Sequence, residues 1–330
     1  MKILFLGGTG NISAECAALL LARGHEIFVL SRGRAPVPQE FSAIQADRKD
    51  VAAMQAALQK IRPEIVLNFL GYELSDVQMD VAQFAGLRQY IFISSATVYA
   101  KPPARLPITE DAPLGNAWWD YAQKKLACER WLLEQHKTSR FPVTIIRPSH
   151  TYSKRWIPNP ISSAGYTFAS RFEQNKPVFV PDEGQNPWTL TAASDFAIGL
   201  AGVLGKEEAI GEAYHITSDE VLTWNQIYAE IAVVVGNRSP QILSIPTDFI
   251  CQIAPQLTGN LKGDKAHPAV FDNSKIKRLV PEFQCRKSFA VGIRESINWL
   301  REHPDQQNLN AQADSTFDQV IAAWQQSKRT

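Results

Sequence analysis

Residues 1–13, MKILFLGGTGNIS, decide the fold. The apolar run 3–6 stops at Gly7-Gly8-Thr9-Gly10, and an amphipathic segment, 12–21, follows at once. This is the order strand, glycine turn, helix. Such a turn lets backbone come close to a phosphate, and the helix start offers it unpaired N–H groups and the positive end of the dipole. Gly7 and Gly10 hold the first two glycine positions of the dinucleotide fingerprint, and Ser13 stands at the third. The competing reading is a glycine-rich turn in an α/β protein of another kind; the strand–turn–helix context is what the fingerprint requires.

Outward from this stretch, the first half of the chain alternates apolar runs with segments of helical spacing. Strand-like runs fall at 25–30, 43–47, 64–69, 90–94 and 143–146, and helical segments at 51–61, 76–85 and 118–135. This alternation predicts an α/β protein with a Rossmann-type doubly wound parallel sheet, whose ligand lies at the C-terminal ends of the strands. After Pro148 the texture changes. Residues 149–190 are rich in Pro, Ser, Asn and aromatics and are expected as loops and short elements folded over the ligand. Residues 195–205 and 224–236 have helical spacing, 213–217 (AYHIT) reads as a strand returning to the main sheet, and Phe317, Val320, Ile321 and Trp324 place a helix over 316–326. The expected division is a nucleotide-binding domain over 1–150 and a smaller C-terminal substrate-binding lobe over 151–330, of which about 190–220 returns to the sheet.

Composition narrows the function. The 330 residues exceed the ~250–300 at which single cores stop growing. A net charge of +1 supplies no field to draw in nucleic acid or an anionic membrane, so neither is expected as a partner. Cys16, Cys128, Cys251 and Cys285 are scattered and form no CxxC pair, which fits idle thiols in a reducing compartment rather than a disulfide or zinc framework. No cluster has metal-ligand spacing, and no metal is expected. The first apolar run is too short for a signal peptide, and no stretch approaches the ~20 apolar residues of a membrane helix. A cytoplasmic enzyme with a small-molecule substrate is the expectation.

Among the eight tyrosines only Tyr121 has a lysine four residues later, Lys125. On a helix these positions share a face. An ammonium beside a phenol lowers the phenol's pKa, and a phenol so tuned can take a proton from a carbinol or return one to a carbonyl. Ser94-Ser95 ends a strand about 25 residues earlier, where a hydroxyl can hydrogen-bond the reacting oxygen. The bland alternatives are a packed tyrosine with a solvated lysine, Lys125 paired with Glu129 at the surface, and Ser94 as a structural residue.

Together these segments resemble the extended short-chain dehydrogenase/reductase superfamily, in its NAD(P)-dependent epimerase/dehydratase group. The resemblance runs through GGTGNI at the start, ADRKD around Asp47, NFLGY at 68–72, ISSATVYA at 93–100, YAQKK at 121–125, IIRPSHTY at 145–152, SDFA at 194–197, AYHIT at 213–217 and DNSK at 272–275. It implies Tyr121 as general acid/base, Lys125 on the nicotinamide ribose, and Ser95 on the substrate oxygen. It implies Gly7, Thr9, Gly10, Asn11 and Ile12 around the pyrophosphate and Asp47 at the adenine amine, although Asp47 could equally cap a turn. Leu70, Gly71 and Pro148 would line the cofactor. At the end of the second strand, where an acid normally selects NAD, stand Ser31, Arg32 and, after a glycine, Arg34. A guanidinium suits a 2′-phosphate, so NADP is preferred over NAD; Arg32 stacked on adenine would allow either.

The departures bear on the substrate. Ala96 and Thr97 stand where dehydratases carry acids, which disfavours dehydration. Trp188 stands where nucleotide-sugar enzymes carry an arginine for the diphosphate, leaving Arg155 or Arg171 as substitutes, and Ala100 and Ser153 replace the usual glycines. Tyr72, Ala96, Trp118, Trp119, His150 and Trp188 are the candidate substrate contacts, with Tyr152, Trp156 and Tyr166 nearby in sequence. The expected function is an NAD(P)-dependent epimerase or oxidoreductase acting on a hydroxyl or keto group of a sugar-like substrate. The alternatives are an NADPH-dependent carbonyl reductase of a specialised pathway, a non-catalytic NADP-binding regulator, and an RNA-associated relative. The resemblance also implies a homodimer built on 76–85 and 118–135, with Ala127, Trp131 and Leu132 on the shared face or on the sheet.

Overall fold

Seven parallel strands form the central sheet. The computed structural model describes residues 1–33 and 36–329. The first half runs β1 (Lys2–Leu6), α1 (Ser13–Ala22), β2 (Glu26–Ser31), β3 (Ser42–Gln45), α2 (Val51–Ile61), β4 (Ile65–Asn68), α3 (Leu74–Gln83), β5 (Gln89–Ile93), α4 (Asp120–Ser139) and β6 (Val143–Pro148). Then come β7 (His150–Tyr152), α5 (Thr167–Glu173), β8 (Val178–Pro181), β9 (Pro187–Trp188), β10 (Leu190–Ala192), α6 (Ala193–Val203) and β11 (Ala213–Ile216). The sheet order is β11-β6-β5-β4-β1-β2-β3. It reverses direction beside β1 and β4, which places a ligand crevice at their C-terminal ends.

Alternation along the strands builds two cores. Ile3, Phe5, Ile65, Leu67 and Ile91 meet Cys16, Ala17 and Leu20 of α1 and Phe196 and Leu200 of α6. Leu4, Leu6, Val66, Tyr90 and Phe92 face the other way, onto Met54, Val77, Cys128 and Leu132. Strands covered on both faces read as continuous apolar runs, which is why they were conspicuous in the sequence. Leu132 is thus a core residue on the sheet, whereas Ala127 is exposed. The C-terminal lobe has its own aromatic core around Phe168, Trp188, Trp224, Tyr228 and Phe317. All four cysteines are free.

Helix ends moved where capping chemistry outranks periodicity. α3 starts two residues before the expected Asp76 because Asp76 is the N3 residue of a capping box closed by Glu73. α4 begins only at Asp120, after Trp119 in extended conformation, and runs on to Arg140, whose left-handed φ of 59° closes it. The last helix spans Ala311–Ser327 rather than 316–326, because Asn310 caps it by accepting the Ala313 N–H. Among the described residues no helix is long and apolar enough to cross a membrane.

Candidate active site

A cavity of about 610 Å³ opens where β1, β4, β5 and β6 end. Gly7, Phe69, Ser94 and Ser149, each just beyond a strand end, reach it, and the C-terminal lobe closes it with Ser162, Trp188, Asp264 and Lys265.

The glycine turn forms its floor. Gly7 has φ +83°, and a Cβ there would sit 2.7 Å from Leu70 Cγ, so both conformation and space demand glycine. The Gly10 N–H donates to Ser13 Oγ at 2.9 Å, so the serine at the third fingerprint position ties the turn to the helix start. Thr9, Gly10, Asn11, Ile12 and Ser13 all line the cavity, presenting the N-terminus of α1 to it, a setting that fits an anion. The Asn11 amide donates to the Thr151 carbonyl at 2.9 Å and its oxygen accepts from the Ser153 hydroxyl, which fastens this turn to β7.

The loop after β4 is clamped from below. Arg48 donates to the Leu70 carbonyl at 2.8 Å, the Asp76 carbonyl at 3.1 Å and Asp80 Oδ1 at 2.7 Å. Asp80 Oδ2 accepts from Tyr90 at 2.5 Å and Asn68 at 2.6 Å, and Asn68 Oδ1 takes the Leu70 N–H at 2.8 Å. None of Arg48, Asp80 or Tyr90 was singled out from sequence; the signal available was Arg48 next to Asp47.

Tyr121 lies on the first turn of α4, its ring 5.1 Å from that of Trp119 and 6.4 Å from that of Tyr72. Ser95 lines the cavity with it, and the serine hydroxyl favours the ionised phenol. Ser95 Oγ already accepts from the Thr97 N–H at 3.2 Å and the Thr97 hydroxyl at 2.9 Å, which leaves the Ser95 proton to donate. Lys125 is 2% exposed and donates to the carbonyls of Gly71 at 2.7 Å and Ile93 at 2.8 Å. Burial pushes its pKa down to about 8. The expected lowering of the Tyr121 pKa is not found. Burial pushes that phenol up, and the Tyr72 and Asp264 charges add to it, against the Ser95 hydroxyl. The Lys125 ammonium is anchored on two carbonyls, 6.0 Å from the Tyr121 ring centre, too far to reverse desolvation. Nor does Lys125 form a surface pair with Glu129. That carboxylate is 1% exposed and takes Arg147 through Nε and Nη2, the latter at 2.6 Å.

The expected contacts divide. Tyr72, Ala96, Trp119, His150, Trp156, Trp188 and Pro148 line the cavity together with Tyr121, Lys125 and Ser95. Trp118 does not: it is 48% exposed, with the Lys262 ammonium 5.1 Å above its ring. Tyr152 packs on Phe289 and Tyr166 bonds Glu173, both away from the cavity. Arg171 is committed to Asp314 and Asp318, Arg155 lies over Trp299, and neither lines the cavity. Ser31 ends β2, Arg32 follows it and Asp47 lies two residues beyond β3, all outside the cavity wall. Asp47 Oδ1 accepts the Lys49 N–H at 2.9 Å, the turn-capping role. Arg34 lies outside the described residues. Ser162, Asp264 and Lys265 went unseen in the sequence because they converge from distant, aperiodic segments. Asp264 and Lys265 lie on a π-helical turn, Leu261–Lys265.

A family model for NAD dependent epimerases and dehydratases matches residues 3–217. The chain belongs to the NAD dependent epimerase/dehydratase family. As in that family's relatives, it is an enzyme of the extended short-chain dehydrogenase type. It is similar to a 2′-dehydrokanamycin reductase of Streptomyces kanamyceticus, 24% identical over 91% of this chain and 84% of the relative. It is also similar to a chloroplast stem-loop binding protein of 41 kDa from Arabidopsis thaliana, 27% identical over 75% of this chain and 67% of the relative. The fold matches the crystal structure of Thermus thermophilus UDP-glucose 4-epimerase in complex with NAD, with TM-score 0.72, 20% identity, and coverage of 92% of this chain and 100% of the other.

Proposed function

We propose that this family member is an NAD(P)-dependent epimerase or oxidoreductase acting on a hydroxyl or keto group of a sugar or sugar-like substrate. The observation that carries the reading is that Tyr121, Ser95 and buried Lys125, one turn after Tyr121, line one cavity with the glycine turn. Tyr121 Oη moves the proton at the substrate oxygen and Ser95 orients that oxygen. Gly7, Thr9, Gly10, Asn11 and Ile12 hold the pyrophosphate. Asp47 takes the adenine, Leu70, Gly71 and Pro148 border the nicotinamide, and Lys125 takes its ribose. The nicotinamide accepts or returns hydride when bound. The Arg32 guanidinium beyond Ser31 favours NADP over NAD.

The reductase version of this reading draws support from the 2′-dehydrokanamycin reductase, which is similar over nine-tenths of the chain. Against the stem-loop-binding alternative stands the net charge of +1; a shift of labelled RNA at moderate salt would restore it.

The test screens NAD(P)H with carbonyl compounds and NAD(P)⁺ with polyols, then repeats the active pairs with Tyr121→Phe. Turnover should vanish while cofactor affinity stays within about twofold, since a hydroxyl acting only on the reacting oxygen contributes nothing to cofactor binding. Retained turnover refutes the assignment. Denaturing fresh protein and identifying released nucleotide separates the versions: stoichiometric retained cofactor supports epimerisation, and an empty protein that binds NADPH supports reduction.

A further inference from the structure

Where the C-terminal lobe closes the cavity, the buried nitrogen groups of Lys265, Trp188 and His150 gather beside the carboxylate of Asp264. Lys265 is 2% exposed and lines the cavity. Its ammonium meets Ser162 Oγ at 3.2 Å and Asn260 Oδ1, both neutral. Among the described residues no carboxylate lies within 4.0 Å of it. The adjacent Asp264 instead faces Lys101, at 4.0 Å, whose side chain is 1% exposed. His150 lines the same cavity, its ring 6.1 Å from that of Trp188. The Trp188 indole N–H, a donor only, and His150 Nε2 are both buried without a partner. A buried ammonium whose nearest carboxylate, that of Asp264, stands beyond ion-pair contact and is shared with Lys101 is expensive, and an indole N–H left unmatched adds to the cost. One ligand group satisfies the ammonium, the indole and, in its Nε2–H tautomer, the imidazole: a compact anion, which only accepts.

We infer that this wall is an anion subsite, and that the substrate is a sugar-like acid whose carboxylate or phosphate monoester docks on Lys265, with Trp188 and His150 as further donors. This rests on the proposed function for the location of the reacting hydroxyl, at Tyr121 across the cavity, but not for binding itself. Asp264 lines the same cavity and remains to accept a substrate hydroxyl. A single lysine in a closed wall suits a compact anion and not a diphosphate bridging two groups. A polycationic substrate meets repulsion there.

The experiment is calorimetric titration of the NADP⁺-loaded enzyme with glucose, glucuronate, glucose 6-phosphate and UDP-glucose. Either acid should bind at least about tenfold tighter than glucose, the usual worth of a charge-assisted bond in a dry site. Which acid leads identifies a carboxylate or a phosphate site. Lys265→Met should erase the preference while NADP⁺ affinity stays unchanged, and Lys265→Arg should restore part of it. Equal binding of glucose and both acids by the wild type, an acid preference that survives Lys265→Met, or UDP-glucose as the tightest ligand would overturn the inference. Because the wild-type comparison alone can refute it, a Lys265 variant that fails to fold does not protect it. Because titration needs no turnover, loss of this subsite is distinct from failure of Tyr121 as the proton-transfer group.

Discussion

Replacing Arg48 with alanine should strike both stability and cofactor binding, because one guanidinium serves the buried Asp80 and the Leu70 loop. Asp80 has 3% side-chain exposure and Arg48 10%, so solvent cannot take over the lost charge. Removing one partner of a buried pair costs about 3–5 kcal/mol. Tyr90 and Asn68 still donate to Asp80, so the lower end, about 3 kcal/mol, applies. Pairing the change with Asp80→Asn removes the stranded charge, and the double variant should lose about 1–2 kcal/mol less than Arg48→Ala alone. The Leu70 carbonyl also loses a charged donor, and cofactor should bind about tenfold more weakly as that loop relaxes. Urea unfolding followed by tryptophan fluorescence and titration with NADP⁺ read the two effects. A loss below about 1 kcal/mol in the single variant, or a double variant as unstable as the single, would refute the argument that Arg48 acts by neutralising Asp80.

Gly71→Ala should destabilise by about 1–3 kcal/mol, because its Cβ would come 2.6 Å from Phe92 Cε2 and 3.0 Å from Asn68 Nδ2; an unchanged urea midpoint contradicts this. Arg32→Ala should weaken NADP⁺ far more than NAD⁺ in equilibrium titrations, and equal losses would remove the 2′-phosphate argument. Lys125 has its pKa lowered by burial to about 8, from an ordinary value of 10.5. The unfolded chain therefore holds a proton the folded one has released, and this group's contribution to stability rises with pH across that window. Relative to Lys125→Met, the wild type should gain up to about 1.4 kcal/mol per pH unit there, and a constant gap between the two unfolding curves would sink the assignment.

The sheet was legible because its strands are covered on both faces and so read as unbroken apolar runs such as 64–69 and 143–146. The helix ends were not, since Glu73, Asn310 and Arg140 set them through caps that periodicity does not weigh. The near side of the site was legible for a similar reason. Tyr121 and Lys125 stand one turn apart on α4, and Gly7 and Ser95 follow the ends of β1 and β5. The far side depends on tertiary convergence: Lys265 reaches Ser162 across 103 positions of sequence. Local patterns also cannot weigh desolvation, which is why the phenol of Tyr121 moves up where its neighbouring lysine alone would move it down.

The Asn11 side chain holds the Thr151 carbonyl and the Ser153 hydroxyl at once. It is a mortise between the glycine turn and the strand from which the second lobe departs. On the proposed function, order gained by one joint member would be passed to the other, and nucleotide and substrate would draw on a single coupling free energy. Such coupling is reciprocal: the factor by which nucleotide tightens substrate equals the factor by which substrate tightens nucleotide. On the proposed function each ligand would slow the other's release, and Asn11→Ala should reduce the factor by which NADP⁺ tightens substrate.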